Sequence, residues 1–183
     1  RASIVANLIG DHVGPGAGGV TLIGTDDVAV VRNTFARNTV QLLVADDERR
    51  RPGAIDVAGN VFAERAGRNG DVALDVVMLE TSRPASSWFA RFDRNGYAVA
   101  AAPADDPSHV RFRWPGAWAR TPAELGANTG FEASHVLSVV GEAGPFRGVD
   151  DYRLADPALA GFAGVPMPAV VDEGAGSPGL GAR

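Results

Sequence analysis

Four stretches of the chain align without a gap: Ala2-Ser-Ile-Val-Ala-Asn7-Leu-Ile9, Val28-Ala-Val-Val-Arg-Asn33-Thr-Phe35, Ile55-Asp-Val-Ala-Gly-Asn60-Val-Phe62 and Ala90-Arg-Phe-Asp-Arg-Asn95-Gly-Tyr97. The asparagine returns after 26, 27 and 35 residues. Five positions before it stand Ala2, Val28, Ile55 and Ala90; three before it, Ile4, Val30, Val57 and Phe92; two after it, Ile9, Phe35, Phe62 and Tyr97. A spacing of two is the strand period, and it breaks at the asparagine, where the backbone has to turn. Asparagine suits that turn because it tolerates left-handed backbone and its amide bonds neighbouring peptide groups.

A further strand precedes most copies: Gly19 to Ile23, Gln41 to Val44 and Val72 to Leu79. Each unit therefore reads strand, turn, strand, asparagine turn, short strand, loop. One such unit cannot bury its own apolar face, whereas stacked units share a continuous core with strands paired in parallel from one to the next. Equivalent amides in such a stack can also bond one another as a ladder. The expected architecture is all-β: about four coils of a solenoid, with Asn7, Asn33, Asn60 and Asn95 in one column and Val30, Val57 and Phe92 inside.

The ends of the chain read differently from the coils. Thr121 to Gly130 predicts one short helix, with Thr121 as cap, Pro122 in the first helical position and Glu124 completing a capping box. Val136 to Val140 predicts a last strand. The coils and this closing segment span residues 1–165, and a Gly/Pro-rich tail spans 166–183. Because Arg1 runs straight into a coil strand with no capping element, further coils upstream are expected.

Composition restricts the chemistry. Among 183 residues the chain has 23 glycines and 12 prolines, an excess that suits many short elements joined by turns. It has no cysteine, which removes disulfides, thiol nucleophiles and thiolate metal sites. All 17 basic residues are arginine, so a lysine Schiff base or lysine general base is excluded within this chain. The net charge of −5 argues against a general nucleic-acid binder. No apolar run reaches the ~18 residues of a membrane span.

The repeats resemble the right-handed parallel β-helix of the pectate-lyase-like superfamily, in which an N-x-[FIY] turn follows alternating apolar residues. The resemblance covers residues 1–100 and continues through Phe112-Arg-Trp114, Thr121 to Gly130 and Asp151-Tyr-Arg-Leu154, although Asp156-Pro157-Ala158 stands where such proteins usually carry Ser-Pro-Ala. It implies an extracellular, carbohydrate-active protein of polysaccharide lyase or glycoside hydrolase type, or a non-catalytic glycan-binding scaffold. The partner implied is a polysaccharide or acidic glycan. It leaves the cofactor open: related lyases bind calcium, but no convincing calcium site stands in this sequence. The N-T-D, D-D and G-H-G pattern of polygalacturonase-like hydrolases is absent, and Gly24-Thr-Asp-Asp27 is only an echo of it.

Two charge clusters are the candidate substrate-binding groups: Arg91, Asp93 and Arg94 around the inward Phe92, and Arg49 and Arg50 within Asp46 to Arg51. Arginine forks grip carboxylates bidentately. The scaffold reading instead pairs Arg91 with Asp56, its equivalent one coil below. No catalytic residue is assigned. The acid pairs Asp26-Asp27, Asp46-Asp47, Asp105-Asp106 and Asp150-Asp151 read as turn chemistry. The three histidines, His12, His109 and His135, have no metal-ligand spacing. Of the tryptophans, Trp114 is expected to pack, while Trp118 could pack or stack on a sugar.

Overall fold

The computed structural model describes residues 2–15, 18–47, 49–64, 71–77, 84–100, 110–140, 146–147 and 154–162. It is mostly β, and its strands fall into three sheets. Sheet A takes β1 (Ala2–Val5), β4 (Val28–Val31), β7 (Ile55–Ala58) and β10 (Phe89–Asp93) in that order. Sheet B takes β2 (Leu8–Gly10), β5 (Thr34–Ala36), β8 (Val61–Ala63), β11 (Gly96–Ala100) and β14 (Val136–Val140). Sheet C takes β3 (Gly18–Ile23), β6 (Val40–Ala45), β9 (Val72–Val77), β12 (Phe112–Trp114) and β13 (Ala117–Ala119). The chain thus visits A, B and C in turn, and each strand pairs in parallel with its counterpart in the next unit. Among the described strands, β13 departs from this rule: it turns back on β12 as an antiparallel hairpin.

The repeated apolar columns become the core. Ile4, Val30, Val57 and Phe92 are register partners along sheet A. Phe35, Phe62 and Tyr97 form a stack in sheet B, with ring centres 5.0 and 5.5 Å apart. Leu42, Leu74 and Phe112 align in sheet C, and the three columns meet in one buried cluster. Burying each such side chain contributes roughly 1.5–3 kcal/mol. The stacked rings add about 0.5–1.5 kcal/mol per pair.

The turn from sheet A to sheet B works as its sequence suggests. The residues before the four asparagines, Ala6, Arg32, Gly59 and Arg94, all have left-handed backbone with φ between 57° and 65°. Each asparagine Oδ1 then accepts from the asparagine of the preceding unit: Asn7 Nδ2 to Asn33 at 3.2 Å, Asn33 to Asn60 at 3.1 Å and Asn60 to Asn95 at 3.1 Å. The same oxygens accept the backbone N–H of Asn7, Asn33 and Asn60 at 2.9–3.0 Å. The amide-to-amide bonds therefore all run toward the C-terminal end, while Nδ2 of Asn33, Asn60 and Asn95 also donates back to the carbonyls of Ile4, Val30 and Val57.

Sheet B is covered on both sides. A second apolar cluster joins Ala36, Val61, Ala63 and Ala98 to Phe146, Leu154 and Leu159. Leu159 lies on a short helix, α2 (Pro157–Phe162), which the sequence reading did not anticipate. Asp156 starts it by accepting the Ala158 N–H at 2.8 Å, and its carboxylate also takes the Ser138 hydroxyl at 2.5 Å. These bonds, Ser138 first, hold the Asp156 carboxyl below the usual range.

The expected helix forms as the eight-residue α1 (Pro122–Thr129), which follows the hairpin. Thr121 Oγ1 accepts the Glu124 N–H at 3.1 Å, but the Glu124 carboxylate reaches back to the N–H of Arg120 rather than that of Thr121. Gly130, at φ 78°, closes the helix with an N–H bond to the Gly126 carbonyl. Gly126 lies inside the helix because the Phe131 carbonyl passes within 2.8 Å of where a Cβ would stand. The expected tail, 166–183, lies outside the described residues, as do Met78 and Leu79 of the third long strand. None of the described helices is long and apolar enough to cross a membrane.

Candidate functional site

Arg91 sits on β10 in register with Asp56 on β7. Its Nε donates to Asp56 Oδ1 at 2.7 Å and its Nη2 to Oδ2 at 2.8 Å, a two-point grip along the outer side of sheet A. Its bond to Asp56 is the main cause that raises the Arg91 pKa above its ordinary value. The guanidinium is thereby kept charged and already occupied. Asp93 Oδ1 accepts the Ser134 N–H at 2.8 Å and so ties sheet A to the segment after α1. Arg94 is exposed and holds the left-handed position before Asn95, at φ 59°.

Arg49 and Arg50 are exposed, and both backbone N–H groups donate to Asp47 Oδ1, at 2.7 and 2.5 Å. This loop closes against the previous unit, since a Cβ on Gly24 would meet Asp47 Oδ2 at 2.7 Å and Arg50 Cβ at 2.9 Å. The loop leads into β7, whereas Arg94 follows the end of β10. The two clusters thus lie on opposite margins of sheet A, separated by a four-residue strand of about 13 Å. They are not brought into one site.

Asp26 and Asp46 are held through their backbones, and the two described histidines through their rings. Asp26 bridges Gly53 in the adjacent turn, and the Asp46 N–H donates to the Val77 carbonyl. His12 Nδ1 donates to Asn38 Oδ1 at 3.0 Å and His135 Nδ1 to the Glu132 carbonyl at 2.8 Å. Asp105, Asp106, Asp150, Asp151 and His109 lie outside the described residues. Among the described residues there is no group of three or more His, Cys, Asp or Glu able to hold a metal ion.

The tryptophans separate by burial. Trp88 is in the core, Trp114 is partly buried against it, and Trp118 is 47% exposed. Trp118 pairs across the hairpin with Arg113, and the Arg120 guanidinium lies 4.7 Å from the centre of its ring. Arg113 gives one Nη to Asp75 Oδ2 at 2.7 Å, its register partner on β9.

Two buried charged groups escaped the sequence reading. Glu132 ends the asparagine ladder. Its carboxylate accepts the Asn95 N–H at 3.3 Å, Asn95 Nδ2 at 2.5 Å and the Tyr97 hydroxyl at 2.5 Å. A ladder whose rung-to-rung bonds all run one way needs an acceptor at its end, and a carboxylate is a group that takes both the N–H and the amide of Asn95. Burial is the largest influence on Glu132 and raises its pKa, against the three bonds that lower it. Burial and the adjacent Glu132 carboxylate push the Tyr97 hydroxyl well up. The second group is the Arg111–Glu64 pair, in which Arg111 Nε and Nη2 both donate to the Glu64 carboxylate. Gln41, Asp71 and Tyr97 line a small pocket beside it. Removing one member of such a pair would leave a buried charge, at a cost of about 3–5 kcal/mol. No local pattern around Glu132 or Glu64 marks either one; only the directionality of the ladder demanded a residue like Glu132.

No protein-family model, curated protein or solved structure matches this chain.

Proposed function

We propose that the chain is a right-handed parallel β-helix of the pectate-lyase-like kind, and that it binds acidic polysaccharide for an extracellular protein. The observation that carries this reading is the exposure of arginine at a corner of the regularly paired strands and on a loop between them. Arg94, Arg49 and Arg50 are exposed, and guanidinium forks suit the carboxylates of uronate chains. The cyclic visiting order of the three sheets and the asparagine column support the β-helix part.

Binding is favoured over bond cleavage. β-Elimination by an arginine needs a guanidinium able to take a proton, and of the two candidate bases, Arg91 and Arg94, Arg91 is held charged in a two-point pair with Asp56. The test is a panel of acidic and neutral polysaccharides, with affinity read by calorimetry and turnover by ultraviolet absorbance of unsaturated uronate. The reading predicts binding to the acidic members, weakened by salt, with no absorbance rise. Binding to none of them would overturn it, and accumulation of unsaturated product would replace it with the lyase reading.

A further inference from the structure

The β12–β13 hairpin projects a group of half-exposed side chains whose scaffold contacts, Arg113 to Asp75 and Arg120 to Trp118, leave part of each group open. Residues directly opposite across an antiparallel pair share one face, with Cβ atoms about 4.5–5.5 Å apart. Arg113 and Trp118 are such a pair. Both are close to half exposed, the Arg113 side chain at 48% and Trp118 at 47%. Trp118 is an exposed indole in a molecule whose other described large aromatics are mostly in the core.

The ring is also held in place. Arg120 stacks on it at 4.7 Å, and the Arg120 backbone is fixed on both sides, its N–H by Glu124 and its carbonyl by Arg111. A guanidinium over an indole contributes about 0.5–1 kcal/mol at an exposed site. Arg120 forms no ion pair among the described residues, and its Nε is buried without an acceptor. Asp75, 18% exposed, takes one Nη of Arg113, and the Glu124 carboxylate is spent on the Arg120 backbone N–H rather than on its guanidinium. The hairpin therefore presents guanidinium donors that its acids engage only in part, beside an oriented aromatic surface.

We propose that Trp118, Arg113 and Arg120 form a stacking subsite for one uronate residue of an acidic oligosaccharide. The C–H face of the sugar covers the exposed part of the indole, and its carboxylate takes the Arg113 N–H groups that Asp75 leaves open. The aromatic supplies contact area at low entropic cost, and the guanidinium supplies selection for the anion. This subsite rests on the acidic-glycan reading above and places the contact on the sheet C hairpin, away from Arg94 and the Arg49–Arg50 loop.

The experiment is calorimetric titration of the full chain with a uronate trimer and with its neutral hexose counterpart. Trp118→Ala, Arg113→Gln, Arg94→Gln and Arg37→Gln are compared, with folding checked by circular dichroism. Arg37 belongs to a corner pair with Asp11 and serves as a charge-matched control. Trp118→Ala is expected to weaken the uronate trimer about tenfold or more, and Arg113→Gln about tenfold, a loss of roughly 1.4 kcal/mol for each tenfold step. Arg37→Gln should leave the affinity within twofold, and the neutral trimer should bind wild type at least tenfold more weakly. If Trp118→Ala and Arg113→Gln bind like wild type while Arg94→Gln does not, the glycan reading stands and this subsite is overturned. If the neutral trimer binds equally well, selection by Arg113 is overturned. If wild type binds neither trimer, both readings fall together. Protection of the exposed tryptophan from iodide quenching by the uronate trimer, absent in Trp118→Phe, gives a second readout that does not depend on affinity.

Discussion

The asparagine corner and the β12–β13 hairpin use similar polar chemistry to opposite ends. At the corner, Asn33, Asn60 and Asn95 are fully buried, and each amide bonds both the unit before it and the unit after it until Glu132 closes the series. On the hairpin, Trp118 and Arg113 stay half exposed, with donors left over. A buried polar group without a partner costs about 1–3 kcal/mol, so the corner has to be complete. An exposed one costs almost nothing, because water completes it. Incomplete bonding is therefore cheapest at the surface, and there it leaves groups open to meet a ligand.

The largest expected effect lies in the core beside the corner. Val57 has no solvent exposure, and Val57→Asp would bury an unpaired charge whose cost rivals the ~5–15 kcal/mol margin of a whole domain. No cooperative unfolding transition should be seen for this variant. Next comes Asn60→Ala, which strips the acceptor from the Asn33 N–H and amide and the donor from the Val30 carbonyl. Chemical denaturation should show a loss of roughly 3 kcal/mol. Asn7→Ala, at the exposed end of the same column, should lose less than about 1 kcal/mol. Equal losses at the two positions would mean that burial does not govern the corner.

A smaller effect follows from Glu132. Its pKa is raised in the folded chain, chiefly by burial, so the folded state holds this proton more firmly than the unfolded state does. The stabilisation linked to that proton is full below the ordinary carboxylate pKa and is lost as pH rises through the raised one. Stability of the wild type relative to Glu132→Gln should therefore increase as pH is lowered from neutral toward the ordinary carboxylate range. A flat difference across that interval would contradict a raised Glu132 pKa. Smallest of all, Asp56→Ala should cost only about 0.2–1 kcal/mol, because the Arg91–Asp56 pair is partly exposed. Trp118→Ala should change stability by no more than about 0.5 kcal/mol.

The two regions also differed in how far their sequence foretold them. Residues that repeat in register, from Ile4 to Phe92 and from Asn7 to Asn95, could be assigned to a core and a corner because period and spacing act locally. Thr121 and Gly130 announced their helix through capping, and Asp56 announced its pairing with Arg91 through register alone. Glu132 could not be found this way, since its partners are Asn95 and Tyr97, 37 and 35 residues away, and no repeat leads to it. Leu159 on α2 was hidden for the same reason: its value lies in covering sheet B, a contact of tertiary origin. On the surface, Arg94 and the Arg49–Arg50 pair were legible as two charge clusters, but their places on opposite margins of sheet A were not. Trp118 was visible as a residue, but its exposure depends on the reversal of β13, which Pro115-Gly116 hints at without fixing which face the indole takes.

Amide hydrogen exchange tests most directly whether a single closed column of amides holds the stack together. In native conditions the backbone N–H groups of Asn33, Asn60 and Asn95 should exchange only through global unfolding, with protection equal to the full stability of the chain. The Arg49 and Arg50 N–H groups, bonded to Asp47 in an exposed loop, should exchange orders of magnitude faster. Asn60→Ala should lower the protection of Asn33 and Asn95 together. Fast exchange at Asn33 and Asn60 in the wild type, comparable to that of Arg49, would contradict the account.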